Sequence, residues 1–469
     1  MSNTAMSISE VLARYIAETS YDKLPQTEIN AAKESIVDTV AVAIGAAGAP
    51  GVTETLNVSR RERATGVSSI WQTGELTSPR QAAFVNSVHA AALDYDSLHH
   101  LAIAHSDIVI VPTAIAVAED ARSTGKELLA AIAVGNDVLC RFSLATKGDY
   151  RGWFFSSVYG VIAAAAVTAK LLRCDANSIA DAMGLAFANC SGTFQAVDER
   201  SMSKRALTAF AVQSGILCGY LAAEGFSGPR HIVEGKFGLY NVYQRGDASV
   251  ITADLGRRFE GAQISRKPFP SCQCNQAAIE ATLALREEHQ LRASDVAALE
   301  VTISSYNDRI VGASFDPSDT PQVAAQFSIQ YSVACALLHG KLGIPEIQPE
   351  TILDPKIGEL ASRVEVRVDP DNQHTYVPVQ VMLTLKNDTV ISKTISVLRG
   401  TVQSPLSAPE VKAKLASCLA ASGYERDNAD LNRIFNCLMQ IDQEAEVASV
   451  MGKVEEWMGA KRGSLTTAA

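Results

Sequence analysis

The sequence predicts a large all-α domain interrupted by a smaller inserted α+β domain. Apolar residues recur at helical spacing through residues 1–265 and again through 401–469. Between about 266 and 400 the apolar spacing changes to strict alternation, with only two helical stretches among the strands. Length agrees: at about 150 residues per domain, 469 residues allow two or three units with a substantial core.

The helical elements can be taken in order. Ile8, Val11, Leu12, Tyr15 and Ile16 form one apolar stripe, with Ser7 or Ser9 available as its N-cap. Ile29, Ala32, Ile36, Val40 and Ile44 form the next, and Gly45 and Gly48 supply a stop. Further helices are expected over 128–142, 158–172, 179–188 and 207–223, several of them alanine-rich and so able to pack closely. In the insert, Leu299, Val301 and Ile303 alternate with polar neighbours, as do Val364, Val366 and Val368. Val379 to Leu385 and Val390 to Val397 flank Lys386-Asn387-Asp388 and read as a hairpin. Helices are expected there at 276–288 and 325–339, and the chain is helical again from Ser407, through 431–439 and 447–458. The tail 460–469 is expected to fray.

Composition limits the partners. Charged residues make up 20% and Asp+Glu exceed Lys+Arg by 51 to 41, a formal charge of −10. Nucleic acid and anionic membrane surfaces call for the opposite sign, so neither is expected as a partner. Residues 1–10 have neither a basic nor an apolar region of a secretory signal. The longest nearly apolar stretch, 160–169, is about half the ~20 residues that span a bilayer. The nine cysteines are odd in number and sit mostly in apolar helical patterns, which fits a reducing, cytoplasmic compartment.

Four of the eight histidines, His89, His99, His100 and His105, lie within residues 89–105, beside Asp94, Asp96 and Asp107. The cluster can be a solvated loop, a metal site or a metal-free acid/base site. The i, i+4 pair of a helical HExxH zinc site is missing, and an acid/base role for His105 is favoured. Ser203-Lys204-Arg205 places cations at a helix start, against the macrodipole, although a surface basic pair would look the same. Arg266-Lys267-Pro268-Phe269-Pro270-Ser271-Cys272 is a stiff extended loop at the expected domain junction. Phe327 to Tyr331 opens an apolar helix, where Tyr331 taken alone reads as a core aromatic. There is no GxGxxG, P-loop or GxSxG signature.

In this order the motifs resemble the 2-methylcitrate dehydratase (MmgE/PrpD) family, which includes cis-aconitate decarboxylase and iminodisuccinate epimerase. The resemblance runs over nearly the whole chain. It rests on Ala92-Leu93-Asp94-Tyr95-Asp96 with His105 and Pro112, and on Gly152-Trp153 with Gly160. Ser203-Lys204-Arg205-Ala206-Leu207, Gly225-Phe226-Ser227-Gly228, Lys267 to Cys272, and Phe327 to Tyr331 complete it. It implies a helical domain with a smaller lid domain, a homodimer, and a cofactor-free, metal-free pocket between the domains for a small carboxylate substrate.

Carried over by position, the resemblance makes Asp94, His105, Lys204 and Tyr331 the catalytic candidates. Lys267, Ser156, Cys272, Phe154 and Gln276 are the substrate-binding ones. Lys204 and Lys267 would neutralise substrate charge, His105 oriented by Asp94 would move a proton, and Tyr331 would donate to an oxygen. The sequence departs from the family at Phe154 and Gln276, where relatives commonly carry histidine, and at Ser97-Leu98 after the acidic pair. The leading expectation is a lyase that dehydrates a citrate-like hydroxy acid. Decarboxylation or Cα epimerisation on the same scaffold, a metal-dependent hydrolase using the 99–105 histidines, and a non-catalytic carboxylate-binding dimer are the alternatives.

Overall fold

The computed structural model describes residues 6–148, 151–317, 320–424 and 427–459. The tail 460–469 lies outside the described residues. A mostly helical part and a mixed α/β part are both present, in agreement with the change of periodicity. At the centre of the helical part, Leu207–Ala223 packs against Gly160–Leu171, Ala176–Phe187, Pro79–Ala92 and Asp107–Asp120. Small residues permit this closeness: a Cβ at Gly215 would fall 2.5 Å from the Ala164 Cβ. The segment Met202–Ala223 is long and apolar enough to cross a membrane by length and composition alone, and half of it is buried within the protein. Among the described residues it is a longer apolar segment than 160–169, with Lys204 and Arg205 confined to its first turn.

The mixed part holds a four-stranded sheet in the order Val364–Val368, Val296–Ile303, Val379–Leu385, Val390–Ile395. The first pair is parallel, with Val301 opposite Val366, and the others are antiparallel. The expected hairpin forms, turning at Asp388 with φ +64°. Gln273–Glu288 packs on the sheet and against Ile329–His339. The helix expected over 325–339 is in fact two, Pro321–Gln326 and Ile329–His339. Ser328 leaves helical conformation and caps the second through Tyr331 N, 3.1 Å from its Oγ.

Two other local expectations change. Ser7, rather than Ser9, caps the first helix, in a capping box with Glu10. Gly45 is the last residue of Gln26–Gly45 rather than a stop, and is needed for packing: a Cβ there would lie 2.9 Å from the Cys418 Cβ. The reading of 1–265 as almost wholly helical misses two short strand pairs, Ser68–Ile70 with Glu75–Thr77 and Leu98–His99 with Ile264–Ser265. Strands of two or three residues carry no periodicity to detect.

The C-terminal helices return to the N-terminal ones. Ala408–Ala421 packs on Gln26–Gly45, the Tyr424 hydroxyl donates to the Gln72 carbonyl at 2.8 Å, and Lys33 pairs with Asp442 at 2.6 Å. A buried polar network joins the N-terminal helices Ile8–Glu18 and Gln26–Gly45 to Gly125–Leu144 and to residues 260–262. Tyr15 Oη donates to Asp137 at 2.8 Å, Arg141 pairs with the same carboxylate, and Ala262 N donates to Glu28 at 2.9 Å. Burial, then the charge of Asp137, pushes the Glu28 carboxyl up to about 8. A folded pKa above the unfolded one means stability falls as pH rises between about 4.5 and 8. Glu28→Gln, neutral throughout, is therefore expected to flatten the decline of Tm over that window in thermal melts.

Candidate active site

The site begins where helix Pro79–Ala92 ends. Asp94 takes the left-handed conformation, φ +49°, a region aspartate tolerates better than most residues. The turn carries Asp94, Tyr95 and Asp96 inward, all buried. Lys204, from the short 3₁₀ turn Met202–Ala206, donates to Asp94 Oδ1. Lys267, 1% exposed, donates to Asp94 Oδ2 at 3.1 Å and to the Asp94 carbonyl at 2.7 Å. Burial pushes the Asp94 carboxyl up, but Lys204, Lys267 and His105 together hold it well below the usual carboxylate range. The Lys267 ammonium is stabilised in return: Asp94 and Asp96 outweigh its burial and raise its pKa.

His105 sits just before helix Asp107–Asp120. Its main-chain N–H donates to Ser156 Oγ at 2.9 Å, and its Nδ1 lies 2.6 Å from Asp96 Oδ2. The carboxylate partner of His105 is thus Asp96, and the expectation that Asp94 orients it is corrected. Asp94 is occupied by two lysines, and the bend at φ +49° separates the two acids' directions. The charge of His105, followed by that of Lys267, overcomes burial and keeps Asp96 ionised. Phe154 stacks on the imidazole, ring centres 6.3 Å apart and planes 21° apart, and also meets Phe194 at 6.4 Å.

The remaining candidates serve the loops around this core. Gln276 receives Phe269 N and donates to the carbonyls of Phe269 and Ser271 at 3.0 and 2.9 Å, so its amide braces the Lys-Pro-Phe-Pro loop. Cys272 precedes helix Gln273–Glu288, and hydrogen bonding with Cys274 draws its thiol pKa down against burial. Tyr331 is fully buried, its ring 5.0 Å from Phe315, and its hydroxyl donates to the Glu346 carbonyl. That places the hydroxyl in the core rather than among the His105 and lysine contacts. Tyr331→Phe should cost about 1 kcal/mol of stability in denaturant titrations while changing kcat less than about threefold.

Gln326 and Lys414, which carry no local sequence signal, complete the frame together with Arg205 from the Ser203-Lys204-Arg205 group. The Gln326 main-chain carbonyl accepts from Cys272 N, Ser271 Oγ and Asn275 Nδ2, and its amide donates to the Ala92 carbonyl at 3.2 Å. The Arg205 guanidinium is buried and bonds the Pro50 carbonyl, Gln322 and Gln326. Lys414, from the C-terminal helix Ala408–Ala421, donates to the carbonyls of Tyr95 and Lys267 at 2.9 and 3.1 Å, pairs with Asp38 at 2.7 Å and lies over the Tyr95 ring.

The other histidines disperse. His99 faces Glu260 at 3.2 Å and accepts from Ala102 N; His100 accepts from the Gln273 amide at 2.8 Å and lies against Tyr376. Burial pushes His100 and the fully buried His89 down to about 4. Among the described residues, no group of three His, Cys, Asp or Glu side chains is arranged to hold a metal ion. This geometry does not support the metal-hydrolase alternative.

A lysine–carboxylate–lysine clamp beside a histidine–carboxylate pair, on a mostly helical scaffold, has the makings of an acid/base enzyme. Comparison supplies the family. Residues 10–251 match the MmgE/PrpD N-terminal domain and residues 269–440 the C-terminal domain, and the chain belongs to the MmgE/PrpD family. Cis-aconitate decarboxylase of Aspergillus terreus is 24% identical over 388 residues, covering 77% of this chain and 79% of its own. Human cis-aconitate decarboxylase is 25% identical over 429 residues, 87% of each chain. The 2-methylcitrate dehydratase of Salmonella typhimurium is 25% identical over 218 residues, 45% of this chain and 44% of its own. By these names the relatives are lyases.

Proposed function

We propose that this protein is a cofactor-independent lyase for a small carboxylic acid, that it works by proton transfer through His105, and that its reaction is decarboxylation. The observation that carries this reading is the His105–Asp96 pair at 2.6 Å beside the Lys204–Asp94–Lys267 clamp. The two ammonium groups hold substrate carboxylate. As the C–CO2 bond breaks, its electron pair passes into an adjacent unsaturated or carbonyl group, and the ammoniums stabilise the resulting enolate-like charge. His105, as imidazolium stabilised by Asp96, gives its proton to carbon, carbon dioxide leaves, and solvent returns the proton.

Dehydration, the leading expectation from sequence, needs a second acid for the departing hydroxide. The resemblance puts Phe154 and Gln276 at positions where relatives commonly carry histidine, and the Tyr331 hydroxyl is engaged by the Glu346 carbonyl, so decarboxylation asks less of this chain. The decarboxylase relatives also align over more than three quarters of both chains, the dehydratases over less than half. We place the working pocket between the helical part and a 266–400 lid, in a cytoplasmic homodimer. Support for the dimer is Leu207–Ala223, which leaves Phe210 54% and Leu217 39% exposed.

The deciding experiment incubates metal-stripped protein in D2O with citrate, methylcitrate, aconitate and aminodicarboxylate analogues, followed by NMR. The expected result is carbon dioxide release with one deuterium placed on the product carbon. An alkene formed without carbon dioxide would instead mean dehydration, and Cα exchange without net product would mean epimerisation. Activity lost on stripping and restored by zinc would sink the cofactor-free reading.

A further inference from the structure

We infer that a second cleft, behind the His105 and Lys267 segments, binds an uncharged aromatic molecule, and that its occupant acts on the reaction centre as an effector. The cleft has a volume of about 340 Å3. Residues 99–101 and Gln263 form one side of it. Segments 374–377 and 396–403, which flank strands Val379–Leu385 and Val390–Ile395, form the other. That volume is at the lower end of the range for small-ligand pockets, enough for one bicyclic ring. The lining includes neither the His105–Asp96 pair nor the Lys204–Asp94–Lys267 clamp. The binding site therefore stands apart from the active-site reading, and only the effector role rests on it.

The lining names the chemical class. It contains no lysine, arginine, aspartate or glutamate, so a carboxylate or phosphate would give up water there without a counter-charge. Val377, Leu398 and Val402 give it apolar walls, and Thr375, Ser396 and Gln403 give it neutral hydrogen-bonding groups. Two rings line it as well. Tyr376 is buried and held between His100, ring centres 5.2 Å apart, and Tyr306, edge-on at 5.8 Å. His100 is fixed in turn by the Gln273 amide at 2.8 Å, and burial keeps its imidazole neutral. A planar ring gains more from such a surface than a flexible chain does. Leu101 stands at the mouth 83% exposed, and an occupant would cover it from water.

Both sides of the cleft are tied to the reaction centre. His99 and Ala104 exchange main-chain hydrogen bonds at 2.9 and 3.4 Å, closing a turn that His105 follows directly. Within it Ile103 is left-handed at φ +50°, a conformation that β-branched residues rarely hold. Leu98–His99 also pairs with Ile264–Ser265, two residues before Lys267. From the other side, the Gly400 carbonyl accepts from Arg266 N at 2.9 Å, beside the same lysine. An occupant that fixes either wall thus loads the backbone that carries His105 and Lys267.

The test uses indole, a neutral ring with one donor, and indole-3-acetate, which adds a carboxylate, on the full-length protein. Calorimetry is expected to show one indole site with a Kd below about 1 mM, and binding of indole-3-acetate at least about fivefold weaker. In hydrogen–deuterium exchange, indole should slow peptides covering 99–105, 264–267, 374–377 and 396–403 by about threefold or more. Ser396→Trp, at an exposed position of the lining, fills the cleft and should weaken indole by about tenfold or more, whereas Ser396→Ala should not. Unchanged Tm shows that both variants fold. Absence of indole binding, or parent-like binding by Ser396→Trp, would overturn the site. Indole-3-acetate bound as tightly as indole would overturn the ligand class. Slowing confined to 374–377 and 396–403 would overturn the effector role. None of these readouts needs turnover, so they are decided separately from the substrate panel that tests the active site.

Discussion

Lys267→Met is expected to cost about 3–5 kcal/mol of stability and to lower kcat/KM by about 10²–10³-fold. The two losses have different origins. Lys267 is almost wholly buried and bonds both the carbonyl and a carboxylate oxygen of Asp94, so its removal leaves a buried acid with half its compensation. It also removes a charge that stabilises the developing enolate. Asp94→Asn in the same chain separates the effects, because it takes away the uncompensated charge. In a double-mutant cycle the pair should recover much of the stability while kcat/KM stays low. Recovery of activity along with stability would mean that Lys267 serves the fold alone.

Asp96→Asn is the second large expectation. The amide keeps the shape but cannot stabilise imidazolium, and kcat should fall by about 10²-fold or more with KM little changed. Stability gives an independent check. The Asp96 carboxyl has a folded pKa below its unfolded value, so its contribution is full above the ordinary carboxylate range and disappears as pH falls through the folded pKa. Parent and variant should therefore differ most in denaturant titrations near neutrality and converge in acid. An unchanged kcat would remove Asp96 from the proton-transfer step.

The change of periodicity after residue 265 was readable because long helices and strands repeat their pattern many times. The break at Phe327–Ser328 was not, since it depends on the Gln326 carbonyl being taken by Cys272, Ser271 and Asn275 from another segment. The same division holds at the site. Asp94, Lys204 and Lys267 do meet, and their motifs named them. Which acid meets His105 was hidden, because Asp94 and Asp96 lie two residues apart in a turn whose left-handed φ no spacing rule supplies. Gln276 and Ser156 were visible as positions but not as braces, since their bonds run to main-chain groups of neighbouring loops. Lys414 offered no signal: it reaches Lys267 from 147 residues away in an ordinary amphipathic helix.

That last contact sets an order on synthesis. The carbonyls of Tyr95 and Lys267 are tied to an ammonium that leaves the ribosome only after residues 1–413 have been made. Until then the nascent chain can bring Asp94 to Lys204, but the Lys267 loop has no anchor on this side. A release factor acting early, or a stop codon near residue 400, would give a chain with every proposed catalytic side chain and a slack reaction centre. Such truncated chains should be cut by proteases at the 266–272 loop faster than the full-length protein.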